Sequence, residues 1–571
     1  MTHSTPAPLD GDPARMTDAE LSRNGGPWWR SAVIYEVYIR SFADGDGDGI
    51  GDIQGLRSRL SYLAGLGVDA LWITPWYPSP MKDGGYDVSD LRAIEPLFGT
   101  VAEAEALIAE AHDLGLRILL DIVPNHLSDH HPWFQEALAA APGSRERARF
   151  IFRDGLGSDG STPPNDWMSN FGGLAWTRVT EADGRPGQWY LHLFTPEQPD
   201  VDWTNSDVRD EFDATMRFWF GLGVDGFRID VAHGLAKAEG LPDVGSTVWP
   251  PVGGEAVDHP HWDRDEVHDI YRSWRSLADS YDEPRVFVAE AWVHHPARLA
   301  QYIRADELHT AFNFDFLLAP WQAEPMRASI VAALSAHEAV GAPPTWVLSN
   351  HDTVREVSRY ARPQGVRPLR KLDDLIDLPA DLDVGRRRAR AAALLMLALP
   401  GGAYVYQGEE LGLAEVEDLP EDALQDPGWE QSGRTQRGRD GCRVPIPWSG
   451  NAPPFGFSPD NASAPPWLPQ PPAWRELTAE AQTGDESSML ELYRRGLALR
   501  RAQPALGDGT LHWLEAPEGA LAFARDPGFQ CLVNLARDPV SLPLDGEILL
   551  ASGPLTDDGL LPGDTAVWLS I

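Results

Sequence analysis

The sequence predicts a parallel (β/α)8 barrel of the TIM type, with a lobe inserted after the third strand and a small antiparallel β domain at the C-terminus. Three observations predict it. From about Trp28 onward, eight short, near-continuous β-branched or aromatic runs alternate with amphipathic stretches. About a hundred residues separate the third run from the fourth, far more than one crossover requires. After about Gln503 the pattern changes to short alternating segments bounded by Asp, Gly and Pro.

In chain order, residues 1–27 are polar and Pro-rich, lack an apolar core, and read as a disordered leader rather than a signal peptide. Barrel strands are expected over 33–38, 70–74, 117–123, 226–231, 286–292, 312–316, 346–349 and 403–406. Helices are expected over 56–66, 103–114, 208–222, 266–281, 326–340 and 386–399. These assign 28–125 and 207–503 to the barrel and 126–206, rich in Gly, Pro, Trp and Asn, to the inserted domain. Two further irregular regions, 363–384 and 409–471, are long enough to carry function. The C-terminal domain, 504–571, shows alternating segments at 521–524, 531–535 and 566–571.

Composition narrows the function. The 571 residues carry 47 basic and 86 acidic side chains, and 47 − 86 = −39. A surface this acidic repels phosphate backbones and anionic headgroups, which argues against nucleic-acid and membrane partners and favours a small neutral or cationic substrate. Only two cysteines occur, Cys442 and Cys531, so there is neither a disulfide framework nor zinc-ligand spacing. No run of about 18 apolar residues exists to span a membrane. A cytoplasmic protein, monomeric or weakly self-associating and without an organic cofactor, is expected.

In a (β/α) barrel the chemistry lies at the C-terminal ends of the strands. The third run ends in Asp121-Ile-Val-Pro-Asn125-His126, the fourth in Gly226-Phe-Arg228-Ile-Asp230-Val231, the fifth in Val288-Ala-Glu290-Ala-Trp292, and the seventh in Ser349-Asn350-His351-Asp352. Three carboxylates, Asp230, Glu290 and Asp352, thus sit at three strand ends, with two histidines and an arginine close by. Glycosyl transfer through an oxocarbenium-like state needs such a set: a carboxylate nucleophile and a second carboxyl that acts first as acid, then as base. Arg228, two residues before Asp230, is expected to lower its pKa, and the apolar neighbours of Glu290 to raise the other. Asp230 is therefore read as nucleophile and Glu290 as acid/base. Asp352, His126 and His351 would hold sugar hydroxyls, with Trp76 and Trp292 as candidate lining.

These four segments resemble the signature regions of the α-amylase superfamily, glycoside hydrolase family thirteen. Gln198-Pro-Asp-Val-Asp202, Tyr35-Glu-Val-Tyr-Ile-Arg-Ser-Phe42 and Gly85-Tyr86-Asp87 are similar to segments of its α-glucosidase/oligo-1,6-glucosidase branch. The resemblance implies a catalytic barrel, an inserted domain B, a C-terminal β domain, and α-retaining chemistry with the same roles for Asp230, Glu290 and Asp352. It implies that Tyr86, Asp121, His126, Arg228 and His351 belong to the substrate pocket. It also implies that Arg443, in Arg439-Asp-Gly-Cys-Arg443-Val-Pro-Ile-Pro-Trp448, pairs with Asp83 to close the pocket behind one glucose. An exo-acting α-glucosidase on short neutral α-glucosides such as maltose, isomaltose or sucrose is expected. The alternatives are a trehalose synthase or transglucosidase, or a non-catalytic sugar-binding relative; the latter usually lacks a catalytic carboxylate, whereas all three are present here.

Asp44-Gly-Asp46-Gly-Asp48-Gly-Ile50-Gly-Asp52 alternates carboxylates with glycine. Such a turn can converge four carboxylates and the carbonyl of Ile50 on one hard cation. Gly55 stands where an EF-hand would end in glutamate, so the motif is not an EF-hand. The resemblance implies a structural calcium, or magnesium, at this loop. In the resembling families the residue after the nucleophile correlates with linkage, valine accompanying α-1,6 activity; here it is Val231.

Overall fold

Eight parallel strands form the central sheet of the computed structural model, whose described residues are 26–181, 183–245, 257–293, 295–542 and 546–571. Apart from residues 26 and 27, the leader expected over 1–27 lies outside the described residues. The barrel strands are β1 (Val33–Val37), β2 (Ala70–Ile73), β3 (Arg117–Ile122), β7 (Gly226–Ile229), β8 (Val286–Ala289), β9 (Thr310–Ala311), β10 (Thr345–Val347) and β11 (Gly402–Tyr406). Numbers four to six belong to the insertion. The hydrogen-bonded order is β10-β11-β1-β2-β3-β7-β8-β9. At the seam between β9 and β10, the Thr345 hydroxyl donates to the Ala311 carbonyl.

Alternation along these strands builds the site. Successive side chains point to opposite faces, and both faces are buried. One set, including Ile34, Trp72, Leu119, Val288, Val347 and Tyr404, packs in one apolar cluster. The other, including Val33, Tyr35, Leu71, Ile118, Phe227 and Phe287, packs in the larger core. Two residues on from Ile34, Leu119 and Val288 in the inner set stand Glu36, Asp121 and Glu290. The inner face thus turns from apolar to charged toward the strand C-termini.

Two expected elements differ. Residues 312–316 do not form the sixth strand: β9 is only Thr310–Ala311, and Phe314–Leu317 is helical because the Asn313 side chain accepts from the Phe316 N–H as an N-cap. The helix expected over 56–66 is two, Ile53–Ser58 and Leu60–Leu66, separated at Arg59. The remaining long helices are Val101–Asp113, Ser206–Gly221, Val267–Ala278, Ala323–Glu338, Leu382–Ala398 and Met489–Ala502.

Between β3 and β7, a three-stranded antiparallel sheet comprises β4 (Phe152–Arg153), β5 (Trp176–Thr180) and β6 (Pro186–Leu191), in the order β4-β6-β5. Its core residues Trp167, Trp176, Leu191 and Leu193 pack with Val231, Leu241 and Trp262 from the segment after β7. That contact makes the insertion a wall above the strand ends. The C-terminal sheet has five strands, β12 (His512–Trp513), β13 (Ala520–Arg525), β14 (Phe529–Asn534), β15 (Glu547–Ala551) and β16 (Thr565–Ser570). It packs on the helix Leu382–Ala398, where the Trp568 indole donates to the Leu394 carbonyl at 3.1 Å.

Candidate active site

Two barrel strands stop one residue short of a carboxylate, so that side chain projects beyond the ladder. β7 ends at Ile229 and β8 at Ala289, which leaves Asp230 and Glu290 at the rim. Arg228, on β7 beside Asp121 of β3, is 1% exposed and organises the floor. Its Nη1 donates to Asp121 Oδ1 and Oδ2 at 2.9 and 3.1 Å and to Asp230 Oδ1 at 2.6 Å. Its Nη2 lies 3.7 Å from Glu290 Oε2. Glu290 Oε2 also accepts the Val231 backbone N–H at 2.8 Å. Val231 adopts φ 46°. A β-branched residue in the left-handed region is strained, and such strain concentrates at functional sites.

The third carboxylate is held differently. Asp352 Oδ1 accepts from Arg439 Nη1 and from Arg443 Nη2, both at 2.9 Å. Arg439 also donates through Nη2 to Asp83 Oδ1 and through Nε to Asp426 Oδ2, each at 2.5 Å. The expected Asp83–Arg443 pair is therefore corrected. The guanidinium on Asp83 is that of Arg439, four residues earlier; Arg443 turns to Asp352 and to the His351 carbonyl, 2.8 Å from its Nε. The 3-10 turn Asp440–Cys442 separates the two arginines and aims them differently.

The remaining predicted residues form the side of the site. The Tyr86 ring stacks on His351, centroids 5.3 Å apart. His126 Nε2 contacts the Tyr86 carbonyl at 3.1 Å, and Gln198 Nε2 bridges His126 Nε2 at 3.0 Å and Asp83 Oδ2 at 3.2 Å. A pocket of about 300 Å³ lies over these groups. Asp83, Tyr86, His126, Asp230, Val231, Glu290, Trp292 and Asp352 line it, whereas Asp121, Arg228, His351 and Arg443 support it from beneath. Trp76 does not line it; it is buried against Trp219 at 5.6 Å. Sequence reasoning passed over Phe171 and Phe194 of the insertion, Trp262 after β7, Arg370 after β10 and Asp426 after β11, all of which line the pocket. Their segments carry no periodicity; the unusual length of the insertion and of 363–384 and 409–471 was the signal for four of them, and no signal marked Trp262.

Electrostatics depart from expectation at one residue. Burial drives the Asp230 pKa well above the usual carboxylate range, and Glu290, Asp121 and Asp352 add to the rise against the pull of Arg228. The lowering expected from Arg228 is present but outweighed, because one guanidinium serves several carboxyls in a desolvated cluster. Burial also raises Glu290, as its apolar surroundings suggested. Burial pushes Asp121 up to about 6. Asp352 goes the other way: burial acts to raise it, but His351, Arg439 and Arg443 hold it below its ordinary value.

In the loop after β1, carboxylate oxygens of Asp44, Asp46 and Asp48 lie within 4.8 Å of one another. Burial raises the Asp48 pKa, and Asp46 and Asp44 reinforce it. Asp52 does not join them. Its Oδ2 accepts the Gly45 and Asp46 N–H groups and its Oδ1 accepts that of Gly55, capping the helix Ile53–Ser58. Ile50 donates its N–H to Asp48 Oδ1 at 2.8 Å. The loop is fastened from outside by Ser463 and Trp467, whose N–H groups donate to the carbonyls of Gly47 and Gly49.

Residues 36–509 match the family model for the alpha amylase catalytic domain. A probable alpha-glucosidase of Rhizobium meliloti is 38% identical over 546 residues, covering 92% of this chain and 93% of that protein. A probable oligo-1,6-glucosidase of Bacillus subtilis is 33% identical over 573 residues, covering 93% and 96%. Among solved structures, the alpha-glucosyl transfer enzyme XgtA superposes with a TM-score of 0.80 at 35% identity, covering 95% of this chain and 99% of that one.

Proposed function

Because the chain belongs to the alpha-amylase family of glycoside hydrolases, we propose that it is a retaining, exo-acting α-glucosidase that removes glucose from the non-reducing end of short α-glucosides. The arrangement that carries the reading is Arg228 shared between Asp230 at 2.6 Å and Glu290 at 3.7 Å, at the ends of neighbouring strands. One guanidinium faces three carboxyls, counting Asp121, an excess of negative charge that favours at least one of them keeping a proton. The closer pairing of Asp230 supports Glu290 as the proton's carrier.

Asp230 then attacks the anomeric carbon while Glu290 protonates the glycosidic oxygen, giving a covalent β-glucosyl ester and a free aglycone. Glu290, now a carboxylate, takes a proton from water, which displaces Asp230 and yields α-glucose. Asp352, kept ionised by Arg439 and Arg443, holds sugar hydroxyls together with Tyr86 and His126. Arg439 binds Asp83, Asp352 and Asp426 from three separate segments, which supports a closed end and one glucose per cleavage. Val231, beside Glu290, is the residue at which the leaving sugar's linkage would be sensed.

A second reading, glucosyl transfer to an acceptor sugar, is favoured by the pocket's aromatic wall of Phe171, Phe194, Trp262 and Trp292. Such rings bind an acceptor in preference to water.

For the loop after β1, the hard oxygen set of Asp44, Asp46 and Asp48 suits calcium or magnesium. Asp52 fits a helix-capping role better than that of a ligand. The ion would be structural, holding the loop to the segment around Ser463 and Trp467.

Incubation with maltose, isomaltose, sucrose and trehalose, followed by glucose and product analysis, tests the proposal. Glucose should appear from maltose and isomaltose. Inertness toward all four, or release of maltose units from longer chains, would overturn it. Isomerised or lengthened products in excess of glucose would favour the transfer reading.

A further inference from the structure

A buried run of polar contacts crosses the barrel from β1 to β3, and no role given above uses its first member. Glu36 on β1 is 1% exposed and His351 is fully buried. Glu36 Oε1 lies 2.5 Å from His351 Nδ1 and accepts the His351 backbone N–H at 3.2 Å. His351 Nε2 lies 2.6 Å from the Tyr86 hydroxyl, which lies 3.0 Å from Asp121 Oδ2.

Three side-chain contacts in series need three hydrogens. Tyr86 brings one and a neutral imidazole brings one. With both carboxyls ionised the run is one hydrogen short. Asp121 does not supply it: its Oδ2 already receives the Trp72 indole N–H and Arg228 Nη1, each at 3.1 Å, and its Oδ1 receives Arg228 at 2.9 Å. Asp121 is therefore an acceptor, and Tyr86 donates to it. The Tyr86 oxygen must then accept from His351 Nε2–H. The remaining hydrogen lies between Glu36 Oε1 and His351 Nδ1, either as a carboxylic acid on a neutral imidazole or as a carboxylate on an imidazolium.

We propose that Glu36 and His351 hold one proton in common, and that Glu36 is thereby a positioning residue, keeping His351 Nε2 a donor beneath Tyr86 and Asp352. In either form the pair carries no net charge. Loss of the proton leaves Nδ1–H on a Glu36 carboxylate and a bare Nε2. Tyr86 must then turn its hydroxyl from Asp121 to Nε2, and Asp352 Oδ2, 3.4 Å from Nε2, faces a lone pair in place of a donor.

The titratable and charged groups facing Glu36 are His351, Arg228, Asp352, Asp121 and Tyr406. Burial raises the Glu36 pKa well above its ordinary value, Asp352 and Asp121 add to it, and the His351 N–H and Arg228 oppose it. Burial lowers His351 well below its own. Both directions favour the acid on a neutral imidazole. The assignment of Glu36 as a positioning residue rests on the glucosidase reading of the pocket; the proton count does not.

The test is the His351 tautomer, read by ¹⁵N NMR of histidine-labelled full-length protein without substrate, the signal being identified by its absence in His351→Gln. Glu36→Gln supplies a carboxamide that donates to Nδ1 but has no proton to lose. As the pH is raised from neutral, wild type should pass from Nε2-protonated to Nδ1-protonated, while Glu36→Gln stays Nε2-protonated. Identical behaviour of the two proteins, or an Nδ1-protonated neutral ring in wild type at neutral pH, overturns the proposal. The wild-type tautomer decides alone should the variant not fold. The positioning role adds a kinetic readout: kcat/KM for maltose should acquire its alkaline limb at higher pH in Glu36→Gln. Inertness toward maltose with the tautomer switch intact would count against the glucosidase reading and not against the shared proton.

Discussion

Two clusters of carboxylates sit at or just beyond the C-terminal ends of barrel strands, and opposite means hold them. Around the pocket, Asp121, Asp230 and Glu290 gather on Arg228, and Asp83, Asp352 and Asp426 converge on Arg439. In the loop after β1, no arginine pairs with Asp44, Asp46 or Asp48 among the described residues; the neighbours of their oxygens are backbone N–H groups, such as those of Gly47 and Gly49 on Asp44. Guanidinium partners fix each pocket carboxylate in direction and bias its protonation, as a reaction requires. Amide partners orient oxygens without cancelling their charge, which leaves the loop suited to a cation. The same residue type thus points to chemistry in one place and to an ion in the other, and its partners make the difference.

Removing single members should separate the two clusters. The largest effect is expected at the proposed catalytic pair: Asp230→Asn or Glu290→Gln should lower kcat by roughly three or more orders of magnitude with the melting curve preserved. Wild-type-like turnover of maltose by either variant would contradict the assignment. Arg439→Leu should come next, since it takes the guanidinium from buried Asp83 and Asp426 and leaves Asp352 with Arg443 alone. Breaking such a network costs about 3–5 kcal/mol, so kcat/KM should fall by about 10²-fold or more, with a lowered Tm. An effect confined to Tm would remove Arg439 from the closed end of the pocket.

Val231→Thr or Val231→Ala should shift the ratio of kcat/KM for isomaltose and maltose toward maltose, by about 10–200-fold at most. An unchanged ratio would move linkage reading to the loops after β10 and β11. The loop after β1 should give the smallest effect. Chelation, or Asp46→Ala, should lower Tm by a few degrees through mass action while cold activity stays near wild type. Coincident melting curves with calcium and with chelator would leave the loop without an ion.

What the sequence made legible followed from physical regularity. Strands buried on both faces read as apolar runs, and carboxylates just past those runs stand at the rim, so Asp230, Glu290 and Asp352 were visible without coordinates. Where one polar residue overrode a pattern, the reading failed: Asn313 caps a turn of helix in the apolar stretch expected to be the sixth strand. The choice between Arg439 and Arg443 depended on a 3-10 turn that four intervening bonds of sequence do not encode by spacing. The upward shift at Asp230 depended on how many carboxyls share Arg228, a three-dimensional count. Phe171, Trp262 and Arg370 reach the pocket from irregular loops, whose paths are set by packing against the insertion and not by local propensity.

The central claim is that Asp230 and Glu290 divide the work of a retaining displacement. It is tested most directly by mass spectrometry of Glu290→Gln incubated with an α-glucosyl donor whose leaving group needs no acid. A single glucosyl adduct should accumulate on the peptide containing Asp230, and the glucose later released should be the α anomer. An adduct on any other residue, or β-glucose as the first product with no adduct formed, would contradict the account.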